Sequence, residues 1–152
     1  MARIVNGIEG LRALAGQDLG HSEWMTIDQA RVSAFADVTL DHQWIHLDAE
    51  RAKAESPFGG TVAHGFLTLS VMPHLLDQVI QVTGVKMAVN YGLNKLRFPA
   101  PVVTGSRIRL GIVAPAVEEI RGGVQIQLDC TIQVEGSEKP ALVAEVLFRY
   151  YG

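Results

Sequence analysis

A chain of 152 residues is the size of one ordinary domain, and with 48% hydrophobic and 19% charged residues it reads as globular rather than disordered. A net charge of −3 excludes a general nucleic-acid binder, and a single cysteine, Cys130, excludes an internal disulfide and a multi-cysteine metal site. No run reaches the length of a membrane span and the first residues do not read as a secretory leader, so a cytoplasmic location is the expectation.

With no repeats and no linker rich in Pro, Gly or Ser, residues 1–152 read as one domain. A mean hydropathy of +0.19 points to apolar surface buried between copies, and hence to an oligomer. After an opening that ends near Gly16, LGHSEWMTI reads as a first strand with Trp24 and Ile27 available for the core. Thr26 and Gln29 have capping-box spacing, which predicts a helix through Ala30, Ala34 and Phe35 that ends near Val38. Asp41 then falls just past a helix end. DAERAKAE, from Asp48 to Glu55, predicts a short exposed helix broken by the Ser-Pro-Phe-Gly-Gly run.

The segment TVAHGFLTLSVMPHLLDQVI carries apolar residues round most of the helical circumference, which predicts one long buried helix, bent at Pro73. Everything after Gly84 alternates as strand. An apolar parity change between Leu93 and Leu96 calls for a β-bulge near Gly92 or Asn94. Val124, Ile126, Leu128, Cys130, Ile132 and Val134 alternate cleanly with polar residues, and Leu142 to Tyr150 is apolar enough on both faces to be central or to meet a partner. Four long strands with no intervening helix must pair antiparallel, and only the long helix can cover their apolar face. The expected class is α+β, a curved antiparallel sheet wrapped around one buried helix.

The chemistry is expected in FADVTLDHQWIH, where Asp41 and His46 supply a carboxylate and an imidazole, the usual general acid and base groups. His42 is either a neighbour of the site or simply solvent-exposed, His74 and His21 have no partner at informative spacing, and no His, Asp and Glu set has metal-ligand spacing, so no metal is expected.

The order of elements, Asp41 and His46, the dipeptide His64-Gly65 and the run RFPAPVVTGSRI together resemble the MaoC-like (R)-specific enoyl-CoA hydratases of the hotdog fold. The DHQWIH and NYGLNKLRFPAPV stretches are most similar to the nodulation-protein-N-like branch. The likeness runs from about Gly16 to the C-terminus. It implies hydration of a trans-2-enoyl-CoA to the (R)-3-hydroxyacyl-CoA, or the reverse, with coenzyme A part of the substrate and no cofactor.

In this likeness Asp41 and His46 hold the attacking water and share the proton transfers, while the Gly65 N–H donates to the thioester oxygen. Gln43 and Trp44 belong to the signature. His64 either holds the helix entry or touches the ligand. Lys95, Arg97 and Arg107 form the local basic cluster for the phosphates, Asn90 and Asn94 are candidate contacts of the pantetheine or the catalytic segment, and Phe66, Leu69, Trp44 and Met72 are expected along the acyl chain. A homodimer joined edge to edge is implied, with no nucleic-acid or membrane partner. Leu40 departs from the pattern, which has glycine there; a leucine would be expected to avoid positive φ, or to lower activity. Two other readings compete: a hotdog acyl-CoA thioesterase, and a non-catalytic acyl-CoA binder.

Overall fold

The computed structural model describes residues 1–113 and 115–152. Five strands make the main body: β2 (Asp18–His21), β5 (Met87–Arg97), β6 (Arg107–Ile120), β7 (Gly123–Val134) and β8 (Leu142–Tyr151), in the spatial order β2-β6-β7-β8-β5, with the short β3 (Met25–Thr26) also paired to β6. All pairings in this sheet are antiparallel. The last run is therefore central, between β7 and β5, and its two apolar faces follow from that place. The β5–β8 ladder slips twice, between Asn90 and Gly92 and between Leu93 and Lys95, so the parity change is absorbed by two irregularities rather than one.

One sheet face is dry. Ile108, Leu110 and Ile112 of β6, the even-numbered residues of β7, and Leu142, Ala144 and Val146 of β8 are buried against Leu67, Val71, Met72, Leu75 and Leu76. The antiparallel sheet with its covering helices is the expected α+β hotdog arrangement. The covering element is not one helix, however. It consists of α5 (Gly65–Ser70) and α6 (Met72–Asp77), parted at Val71. Pro73 lies in the first turn of α6, where its missing N–H costs nothing, so the proline starts a second helix instead of bending a first. The end of the apolar run, Ile80–Thr83, is a strand, β4, paired in parallel with β1 (Arg3–Asn6). With α1 (Gly7–Arg12), whose Leu11 is fully buried, this pair closes the far end of the core.

Two expectations near the start are corrected. Trp24 is half-buried and lies under the Arg109 guanidinium, 4.5 Å from its ring centroid, rather than in the core; Ile27 takes the core position. No Thr26–Gln29 capping box forms. The cap of α2 (Gln29–Thr39) is Asp28, whose carboxylate accepts from the Arg31 N–H at 2.9 Å, which leaves the Gln29 amide for other partners. Two further short helices follow, α3 (Trp44–Leu47) and α4 (Ala49–Glu55), the second capped by Asp48 as its composition predicts.

Candidate active site

The segment that carries Asp41 and His46 begins at a backbone reversal. Leu40 ends α2 with φ 63° and ψ 20°, the left-handed conformation that glycine adopts without penalty, and its side chain is exposed. The leucine thus takes the positive φ it was expected to avoid, at a cost of about 1 kcal/mol. The reversal places Asp41 beside the entry to α5. The exposed Asp41 carboxylate also lies 3.4 Å from the Gln43 N–H, a local turn contact that steadies the start of α3.

His46 sits in α3 and is buried. Its Nδ1–H donates to the Val62 carbonyl at 2.7 Å, so in the neutral imidazole Nε2 carries the free lone pair. Burial pushes the His46 pKa below the ordinary 6.5. The Val62 bond opposes that, the neighbouring His64 adds to it, and the Asp41 charge opposes it again. His46 is therefore neutral at pH 7, in a fixed tautomer. That is the state of a base.

His64, only 3% exposed, precedes α5, stacks on His46 with ring centroids 3.7 Å apart, and packs against Phe35. Its Nε2–H donates to the Asp41 carbonyl at 3.0 Å, tying the Leu40–His46 segment to the helix entry; among the described residues its Nδ1 is buried without a partner. Asp41, His46 and His64 offer ligand atoms that all lie within 4.8 Å of one another, so the fold gathers a donor set that linear spacing hides. The two imidazoles are stacked at 22°, however, and lone pairs in near-parallel ring planes do not converge on one ion.

Gly65 opens α5, so its N–H has no intrahelical acceptor. A Cβ there would stand 3.1 Å from the Phe98 ring, so a larger residue fits only where that ring gives way by a few tenths of an ångström. His46 and Gly65 both line a cavity of about 390 Å³, walled by Ile45, Phe58, Val62, Thr68, Phe98, Pro101 and Val102. This apolar chamber reached by a few polar groups is the usual form of a small-molecule site.

The other expected residues fall elsewhere. Trp44 lies under Arg51, 4.2 Å from its ring centroid, Gln43 is exposed at the start of α3, and Phe66 is two-thirds exposed with an edge-on contact to Phe98. Leu69 and Met72 line a different groove, with Asn90, between the helices and β5. None of Phe66, Leu69, Trp44 and Met72 walls the cavity beside His46: on α5 it is Gly65 and Thr68 that do, and Trp44 and Met72 lie on α3 and α6. Asn94 donates to Gln127 at 3.3 Å, and Lys95 and Arg97 line a groove with Asp129, Thr131 and Glu145 on the outer sheet face. Arg107 is paired with Glu135. His42 pairs with Asp37 at 3.0 Å at the surface. Phe98 was legible only as part of the family run; Phe58 and Thr68 carry no signal in the sequence that separates them from ordinary core or turn residues.

Residues 11–134 match the family model described as "MaoC like domain". The chain is 53% identical over 149 residues to 3-hydroxyacyl-thioester dehydratase Z of Mycobacterium tuberculosis, covering 97% of this chain and 98% of that protein. It is 46% identical over 132 residues to nodulation protein N of Rhizobium leguminosarum bv. viciae, covering 85% of this chain and 81% of that protein. Among solved structures, the (R)-hydratase of A. caviae involved in PHA biosynthesis superposes with a TM-score of 0.72 at 27% identity, covering 88% of this chain and 94% of that one. A buried histidine of fixed tautomer, a carboxylate beside it, a free helix-entry amide on an apolar cavity and these similarities agree, and the chain belongs to the MaoC-like hydratase and dehydratase family.

Proposed function

We propose that the protein is an (R)-specific enoyl-CoA hydratase that adds water across trans-2-enoyl-CoA to give (R)-3-hydroxyacyl-CoA, or removes it in reverse. The observation that carries this reading is the neutral, buried His46 imidazole beside the Asp41 carboxylate, at the wall of a cavity that Gly65 also lines. In the hydration direction the pair holds one water. As its oxygen bonds to the β-carbon, one of the two residues takes a proton from it, and the pair returns a proton to the α-carbon on the same face. Charge gathers meanwhile on the thioester oxygen, where the Gly65 N–H donates.

The acyl chain lies against Phe58, Phe98 and Val102. Lys95 and Arg97, near the end of β5 and on the outer sheet face, are the basic side chains assigned to the phosphates of a ligand that leaves the cavity past Phe98. His64 acts through the stack and the Asp41 carbonyl rather than on the substrate, and Gln43 and Trp44 shape the segment. The chemistry needs no further cofactor. β5 ends the sheet order with Met87 and Tyr91 exposed, an unpaired edge suited to a second copy in a homodimer. A cytoplasmic enzyme fits the supply of coenzyme A thioesters.

A hotdog thioesterase is expected to carry a carboxylate on the covering helix itself, near its start. Asp77, the only acid in α5 and α6, ends α6 and lines a groove with Tyr150 instead. The test is incubation of the purified protein with a chain-length ladder of trans-2-enoyl-CoA thioesters. Loss of the conjugated thioester with (R)-3-hydroxyacyl product supports the reading; release of free thiol, or binding without turnover, overturns it.

A further inference from the structure

Beneath His46 lies a set of polar groups that the reaction just described does not use. Gln29 is the first residue of α2, and its amide, released from capping by Asp28, turns inward. Its Nε2 donates to the His46 main-chain carbonyl at 2.8 Å and to the Ser33 hydroxyl at 3.2 Å. Its Oε1 accepts from the hydroxyl of the buried Thr61 at 2.8 Å. Thr61 spends its one proton there, so the Thr104 hydroxyl, 2.8 Å away, donates to Thr61. Only one orientation of the amide fits: reversed, Oε1 would face the His46 carbonyl and two acceptors would meet in the interior.

The residue after Thr61 is Val62. Its N–H donates to the Ile45 carbonyl at 3.0 Å, and its own carbonyl receives the His46 Nδ1–H. One side-chain amide therefore touches the main chain of the catalytic histidine on one side and the neighbour of that histidine's tautomer-setting acceptor on the other. Thr61 is held in turn by the Thr104 N–H, which donates to its carbonyl at 2.9 Å.

We propose that Gln29, acting through Thr61, is a positioning residue for His46: it fixes the spacing between the His46 main chain and the Val62 carbonyl, and so keeps the imidazole in the tautomer that leaves Nε2 as the acceptor. The kinetic part of this inference rests on the hydratase reading; the tautomer part does not. The titratable groups that face His46, Asp41 and His64, stay in place in every variant named below.

The experiment uses the full chain with Gln29→Met, with Thr61→Val, which keeps the shape and removes the hydroxyl, and with Thr61→Ser, which restores it. Nitrogen-detected NMR of the ligand-free protein reads the His46 tautomer, and steady-state kinetics on enoyl-CoA reads kcat and KM. In Gln29→Met and Thr61→Val we expect the Nδ1–H signal to give way to mixed tautomers and kcat to fall about tenfold with KM within about twofold, since a small misplacement of a catalytic group is felt mainly in the chemical step. Thr61→Ser brings both back. Folded variants with an unmoved tautomer and unchanged kcat overturn the proposal, as does a Thr61→Ser variant that fails to recover. Should Gln29→Met not fold, the near-isosteric Thr61→Val decides. If the wild-type protein hydrates no enoyl-CoA, the NMR comparison still decides, so failure of the hydratase reading is separate from failure of this one.

Discussion

Strand β7 and the segment from Leu40 to His46 are built on opposite terms. Along β7 every second residue from Val124 to Val134 is buried on the dry face while its neighbours are not, the β7–β8 ladder runs without slip and the β6–β7 ladder shifts once, between Val113 and Ala116, and no buried side chain of β7 needs a polar partner. The Leu40–His46 segment holds the chain's one non-glycine positive φ among the described residues, an exposed carboxylate and a buried imidazole, and it depends on the stacked His64, whose Nδ1 has no partner. The sheet supplies stability through apolar burial, and the segment concentrates costs that only such a framework can sustain. Stability and activity should therefore separate under mutation.

The largest separation is expected at the site itself. Asp41→Asn and His46→Gln remove the proton-transfer groups and should each lower kcat by about 10³-fold, a typical weight for general acid–base catalysis, while thermal melting stays close to that of the wild type. The mirror case is Leu128→Ala. It opens a cavity in a fully buried position and should cost about 3 kcal/mol in chemical denaturation, with kcat per folded molecule unchanged. Gly65→Ala sharpens the boundary between the two regions. Its Cβ would meet the Phe98 ring at 3.1 Å and move that ring in the cavity wall by a few tenths of an ångström, so kcat should fall about tenfold.

pH offers a finer cut. Because burial holds His46 below its ordinary 6.5, the neutral form persists in the folded protein to lower pH, and the acid limb of kcat/KM should have its midpoint below 6.5. For stability the sign is the reverse of a benefit. Below about pH 6.5 the unfolded chain takes up a proton that folded His46 refuses, so the His46 contribution declines as pH falls, until the folded imidazole protonates too. The smallest effect belongs to Leu40. Leu40→Gly relieves the left-handed leucine and should stabilise the fold by about 1 kcal/mol in denaturant titration, with kcat within about twofold.

The same contrast explains what could be read in advance. β7 was legible because period-two burial is a local property of the sequence, and so were Asp41 and His46, because proton chemistry draws on few residue types. The His64-Gly65 dipeptide is legible as a helix entry, but the Phe98 ring packed against Gly65 is not, because it brings together residues 33 positions apart. An all-round apolar pattern does not tell which side of α5 meets the cavity beside His46, where Thr68 and Phe98 stand rather than Phe66 and Leu69. The division of the covering helix at Val71 was hidden because Pro73 is equally at home in the first turn of a new helix. Gln29 matched a capping motif that Asp28 preempted, and only the tertiary arrangement gave its amide a different task. Leu40 broke a local rule at the point where the site needs a reversal, and the chain accepts the strain there.

The central claim is that Asp41 and His46 carry out the hydration on a framework that does not depend on them. The most direct test measures turnover of trans-2-enoyl-CoA by wild type, Asp41→Asn, His46→Gln and Leu128→Ala, beside their denaturation curves. The account predicts (R)-3-hydroxyacyl-CoA from wild type and Leu128→Ala, with turnover nearly abolished in the two site variants at unchanged stability. Wild-type turnover in either folded site variant would contradict it.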